Sequence, residues 1–322
     1  MNFEFRLEEN CPSDWNTNLL KSDLGNIFNT FEYSQYANKR LGWKPFFLSI
    51  INPTGNLIAE TVLFETTSTK LGKLAKLAGK TIHNKLSKLR WIYGPIVIPK
   101  ENPTYVVNAF LKYISKSNRK LYGTTHPLLG INFENYNLTF KKWNTFLLDL
   151  TLSKDTIIQN MDKRSVIKNI KRSEDRGVKL HEITDSLIAE YHHLLNEFRS
   201  QSGNPTYDFA DTEDLWHLLK PLGFGGYLAK KDDTTIGGIM FSYFNKYINE
   251  WGVARSEKDT DEKLYAQDLL KWKIIEWGIN NNQKFYDFSG ANPYPRHSKE
   301  DGILKYKRKW GGIQKFYYIV SS

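Results

Sequence analysis

The chain has 322 residues, 40% of them hydrophobic and 14% aromatic, which suits about two domains with their own cores and excludes a disordered chain. Forty-five basic against thirty-five acidic residues leave a net charge of +10, which favours anionic partners: nucleic acid, a phosphate-bearing cofactor or an anionic membrane surface. A single cysteine, Cys11, excludes a disulfide framework. With no apolar run near the roughly 18 residues of a membrane span and an acidic start, MNFEFRLEEN, a soluble cytoplasmic protein is expected.

In chain order, the aromatic-rich stretch from Phe31 through Tyr33 and Tyr36 reads as a helix that Lys39 follows. PFFLSIIN (45–52) and NLIAETVLFE (56–65) flank Pro53-Thr54-Gly55 and read as a hairpin. The insert TKLGKLAKLAGKTIHNKLSKLR (69–90) has seven basic and no acidic residues, with apolar positions at steps of three and four. That pattern predicts a basic amphipathic helix, lying on an anionic membrane or packing on the protein. WIYGPIVI (91–98), a helix near Tyr105–Ser117 and a strand at Leu121–Thr125 complete the first half. KKWNTFLLDL (141–150) reads as a strand, and Ser153 is placed to cap the helix that opens the second half.

Residues 161–180 read as a basic helix with Arg164, Lys168, Lys171 and Arg172 along one face, beside Lys163. Such a stripe suits a phosphate backbone such as a tRNA acceptor stem; a solvated face is the plainer reading. Then come a hairpin, GGYLAKK (225–231) with TIGGIMFSYF (235–244) across Asp232-Asp233, and a strand, KYINEWGVA (246–254). A helix near Lys263–Asn280 and the strand KFYDFSG (284–290) follow. AFLKYISKSNRKLYGTT (109–125) aligns without a gap on KIIEWGINNNQKFYDFS (273–289), which points to duplication of one domain. The expected domains are 1–152, containing the insert 69–90, and 153–322.

The chemistry legible in these residues is sparse. There is no nucleophile elbow, no Cys-His pairing and no metal ligand set, and His192-His193 point apart on a helix. Asp287 and Tyr286 end a strand before Gly290, where a backbone can approach a ligand. Asp287 there either accepts a proton from a ligand or caps the turn while Tyr286 and Phe288 enter the core. Lys307, within KYKRK (305–309) and before Trp310-Gly311-Gly312, could donate to an oxyanion. Ahead of the helix near 263–280 stands ARSEKDTDEK (254–263), which is acidic and lacks glycine; a pyrophosphate-binding loop needs the opposite.

Five segments together resemble the FemABX family of peptidoglycan-bridge aminoacyltransferases. They are LYAQDLLKWKIIEWGINNNQKFYDFSGANP (264–293), GILKYKRKWGG (302–312), MDKRSVIKNIKRSEDRGVKL (161–180), TFEYSQYANKRLGWKP (30–45) and WIYGPIV (91–97). The resemblance implies an α+β fold of two tandem GNAT-like domains, with mostly antiparallel sheets flanked by helices. It puts Lys307 where the family keeps a lysine facing the reacting carbonyl. Lys39 and Arg199 correspond to a pair gripping the phosphates of a nucleotide-sugar peptide. Trp251 corresponds to an aromatic of the acceptor channel, with Tyr286 assigned to the same side. The implied donor is aminoacyl-tRNA held by Arg164, Lys168, Lys171 and Arg172, without a bound cofactor. The implied acceptor is an amine of a nucleotide-linked or lipid-linked muropeptide, and a monomer is expected. Two alternatives stand beside this reading: a CoA-dependent N-acyltransferase on a polysaccharide, lipid or small amine, and a non-enzymatic nucleic-acid-binding protein.

Overall fold

The computed structural model describes residues 3–67, 87–98, 101–117, 119–130 and 136–322. The chain divides into two compact units, Met1–Asn144 with Lys315–Ser322, and Thr145–Gln314. Compactness thus moves the boundary from the expected 152/153 to 144/145. The last eight residues return to the first unit because Ile319–Ser321 pair with its strand at Tyr122–Thr124.

The first unit contains β1 (Glu4–Glu8), α1 (Trp15–Leu19), α2 (Phe31–Leu41), β2 (Lys44–Ile51), β3 (Leu57–Thr67), β4 (Ser87–Trp91), β5 (Ile96–Val97), α3 (Pro103–Ser115) and β6 (Lys120–Thr124). Local chemistry sets the helix ends. The Thr30 hydroxyl accepts from the Tyr33 amide at 3.2 Å to start α2, and Gly42 ends it at φ 66°. Asn102 caps α3, with Pro103 at the first helical position. β1 to β4 pair antiparallel in sequence order, whereas β4 and β6 run parallel with α3 between them. Val106, Phe110 and Ile114 of α3 pack against Leu48, Leu89, Trp91 and Leu121, all buried. Of the expected amphipathic helix at 69–90, residues 69–86 lie outside the described residues. Ser87–Arg90 correct that expectation: they open β4, where Leu89 enters the core by strand alternation while Lys88 is exposed.

β7 (Thr139–Asp149) carries the chain into the second unit: α4 (Lys154–Asn160), α5 (Lys168–Asp175), β8 (Lys179–Glu182), α6 (Ile188–Gln201), α7 (Phe209–Gly223), β9 (Phe224–Lys231), β10 (Thr234–Ser242), β11 (Tyr247–Arg255), α8 (Glu257–Asp261), α9 (Ala266–Asn280), β12 (Phe285–Asp287) and α10 (Ser298–Arg308); β13 (Ile313–Ser321) ends the chain. Ser153 caps α4 by accepting from the Thr156 amide at 3.2 Å. β8 to β11 pair antiparallel in sequence order, and β11 and β12 run parallel with α9 between them. This repeats the plan of the first unit strand for strand, giving the echo around Tyr122 and Tyr286 a topological basis. Gly237 and Gly238 allow close helix approach on opposite faces of β10: Ala266 and Leu270 of α9 lie over one, Tyr191 and Leu194 of α6 over the other.

Candidate functional site

The parallel ladder of β11 and β12 is only three residues long: Tyr247 faces Phe285, Ile248 faces Tyr286 and Asn249 faces Asp287. Beyond it β12 stops while β11 continues to Arg255, so the two strands part. β11 is also bulged here, with two residues, Gly252 and Val253, opposite one on β10. Gly252 sits at φ 51°, and its carbonyl accepts from the Tyr191 hydroxyl at 2.5 Å. A crevice at the carboxyl ends of parallel strands is where open sheets of this kind bind ligands.

Lys307 reaches this opening from the last turn of α10, where the helix dipole favours a cation. Its Nζ donates to the carbonyls of Ser289 and Gly290 at 2.9 and 3.0 Å. Two of three N–H donors are thereby fixed, and one remains for a ligand. Burial holds its pKa below the ordinary lysine value; Glu250 and Asp287 act in the opposite sense, and Lys271 adds to the lowering.

Asp287 is fully buried and accepts four hydrogen bonds. Oδ1 takes the Thr145 hydroxyl and the Ser289 amide (2.8 Å); Oδ2 takes the Tyr247 hydroxyl (2.7 Å) and the Asn249 amide (3.3 Å). Burial raises its pKa, and the Thr145, Tyr247 and Ser289 hydrogen bonds lower it. With every acceptor direction occupied, this carboxylate fixes the turn that presents the Ser289 and Gly290 carbonyls to Lys307. Behind it, Glu250 and Lys271 form a buried ion pair, and the Tyr286 hydroxyl donates to the same Glu250 oxygen at 2.7 Å. Asp268 accepts from Lys309 at 2.7 Å and from Asn169 at 2.8 Å.

The other expected residues are more dispersed. Tyr286 is 0% exposed, which corrects its assignment to the acceptor: it holds Glu250 from within the core and has no surface to offer. Trp251 is half-buried on β11, with its ring edge-on to Phe224 at 5.5 Å. Arg199 closes α6; its Nε donates to the Pro205 carbonyl at 2.6 Å, and its guanidinium lies 3.9 Å from the centroid of the Tyr207 ring. Lys39 is exposed on the last turn of α2, in the first unit. Arg164, Lys168 and Lys171 are exposed and Arg172 half-buried. The expected continuous α-helix here instead opens with a π-helical turn, Lys163–Ile167, before α5. Val166, Ile170 and Ser173 face inward throughout, so the cations remain outward.

The amino end of α9, where a helix offers free N–H groups to an anion, is met by the chain's own acids. An Asp259 oxygen accepts from the Ala266 amide at 2.8 Å, and Asp268 lies in the first turn. An anion arriving there would meet the Asp259 carboxylate, whereas Asp268 is already paired with Lys309.

Sequence reasoning missed Thr145, Tyr247, Asn249, Glu250 and Lys271. Asn249 and Glu250 carried a faint signal, as polar residues in a strand otherwise rich in apolar ones. Thr145 carried none, because its partner lies 142 residues away.

Two units of one β-β-β-β-α-β plan define a tandem GNAT-type fold. Among solved structures the chain is similar to FemX, with a TM-score of 0.71 and 11% identity over 98% of this chain and 97% of that one. It is also similar to L-PGS from Bacillus licheniformis (TM-score 0.55, 12% identity, 98% and 92% covered). A tandem GNAT protein from the clavulanic acid biosynthesis pathway resembles it to the same degree (TM-score 0.55, 11% identity, 99% and 98% covered). At such identities the likeness is one of fold. No protein-family model matches the chain, and no curated protein does.

Proposed function

We propose that this chain is an aminoacyltransferase that moves an amino acid from aminoacyl-tRNA to an amine of a peptidoglycan precursor, with its chemistry in the second unit. The observation that carries the reading is Lys307: a partly buried ammonium, clamped by two backbone carbonyls where the parallel strands part, with one donor to spare. The sequence resemblance to the FemABX enzymes and the fold shared with FemX support the substrate class. Asp259 at the amino end of α9 favours this donor over CoA in the second unit.

In the reaction the amine nitrogen attacks the ester carbonyl carbon. The C–N bond forms as the carbonyl pair moves onto oxygen, and Lys307 donates to that oxyanion. Collapse breaks the ester C–O bond; the tRNA 3′ oxygen leaves and gains a proton, and the amine loses one. Lys307 stays protonated throughout. Asp287 is a positioning residue here, in place of the proton acceptor expected for it, since its acceptor directions are taken. Arg164, Lys168, Lys171 and Arg172 hold the tRNA backbone. Arg199 and Trp251 of the second unit serve the nucleotide-linked or lipid-linked acceptor. Among the described residues no helix is long and apolar enough to cross a membrane, and a cytoplasmic site of action, with membrane contact through residues 69–86, which lie outside the described ones, belongs to the same proposal.

The test is single-turnover transfer by Lys307→Ala. Loss of one oxyanion donor slows the chemical step about 10²- to 10³-fold while the melting temperature holds. Transfer at the wild-type rate by a folded Lys307→Ala protein overturns the assignment.

A further inference from the structure

The lysine-rich segment before Trp91 ends in β4, which the transfer reaction does not use. β4 and β6 lie in parallel register with Lys88 beside Lys120 and Arg90 beside Tyr122. Alternation sends Leu89, Trp91 and Leu121 into the core beneath α3 and these four side chains to the opposite face. Lys88 and Lys120 are exposed, Arg90 is half-buried and Tyr122 is 43% exposed.

Arg90 is held in an uncommon way. Its guanidinium carbon lies 5.2 Å from the centroid of the Trp43 ring and 5.2 Å from that of Tyr122. Its buried Nε has no hydrogen-bond partner. On β3 the residues in register with Arg90 and Lys88 are Phe64 and Thr66, so no carboxylate of the ladder faces either cation. Two lysines directly across a ladder repel each other, which costs stability. Flanking rings hold a guanidinium in place, and its two Nη groups carry the other four N–H donors that can take phosphate oxygens. An exposed tyrosine beside it offers a face on which a base can stack.

We propose that this face of the first unit, formed by Lys88, Arg90, Lys120 and Tyr122 with Trp43 behind Arg90, is a nucleotide-binding site. Arg90 and the two lysines take the phosphate, and Tyr122 stacks on the base. A free mononucleotide and the nucleotides of a single-stranded RNA end share this chemistry. The site does not depend on the transfer reaction and is tested without a donor.

The experiment titrates full-length protein calorimetrically with 5′-AMP, with inorganic phosphate and with a short single-stranded oligoribonucleotide. AMP is expected to bind about tenfold more tightly than phosphate, and Tyr122→Ser to erase that preference. Arg90→Gln is expected to abolish AMP binding, and the exposed pair Lys88→Gln/Lys120→Gln to weaken it several-fold and flatten its salt dependence. Should Arg90→Gln unfold, the lysine pair decides. Oligonucleotide binding that shares these losses identifies an RNA end as a source of the ligand; AMP binding alone identifies a free nucleotide. No AMP binding by wild type, AMP binding indifferent to the lysine pair, or binding only to phosphatidylglycerol vesicles overturns the proposal.

Discussion

Glu60 offers a stability test whose size follows from its surroundings. It sits on β3, 2% exposed, between Ser49 of β2 and Ile96 of β5. One carboxyl oxygen accepts from the Asn18 amide at 3.2 Å; the other is buried without a hydrogen bond. Burial pushes its pKa up to about 8 from the ordinary 4.5; Asp14 adds to the rise, and the Asn18 bond and Lys21 oppose it. The native state therefore keeps a proton that the unfolded chain releases above about 4.5. The contribution is fully present below 4.5, is lost as pH rises towards 8, and is constant above that. About 3.5 pH units at ~1.36 kcal/mol each give roughly 4 to 5 kcal/mol across the window. Urea unfolding of wild type and Glu60→Gln at intervals from pH 4.5 to 9 measures the difference, since other groups cancel. The expected result is a variant that gains on wild type by about 1 kcal/mol per pH unit within the window. A difference that stays flat with pH would refute the reasoning.

Three further outcomes follow. In Gly252→Ala, a left-handed φ and a collision with the Tyr191 hydroxyl cost about 2 to 4 kcal/mol. Tyr191→Phe in the same chain recovers part of that in a double-mutant cycle, and simple additivity contradicts the collision. Asp287→Asn turns an amide N–H towards donors that now have no acceptor, and loses about 2 to 4 kcal/mol by chemical denaturation. For Lys307, a pKa held down by burial means that the protonated donor is present at low pH and lost as pH rises. The rate of the chemical step then falls on an alkaline limb centred below the ordinary lysine value, and a limb at or above that value contradicts this environment.

Much of the fold was legible because hairpins and amphipathic helices are written locally. The Asp232-Asp233 turn, the Ser153 cap and the β-α-β ending at Tyr286 all follow from residues within a few positions of each other. The segment before Trp91 misled because lysine and leucine at helical steps also satisfy strand alternation over four residues, and pairing with Phe64–Thr67 decides for the strand. Lys307 could be singled out from its motif, but its clamp could not: Ser289 and Gly290 lie 18 and 17 residues before it. The role of Asp287 was invisible for a related reason. A carboxylate at a strand end reads equally as base or brace until its donors, Thr145 of β7 and Tyr247 and Asn249 of β11, are brought together.

The most direct test of the central claim is donor use. Purified protein is given a nucleotide-linked muropeptide with either radiolabelled aminoacyl-tRNA or labelled acetyl-CoA, and label on the acceptor is counted. The proposal predicts transfer from tRNA and, with Asp259 at the helix end a pyrophosphate needs, none from acetyl-CoA. Transfer from acetyl-CoA alone would contradict the account.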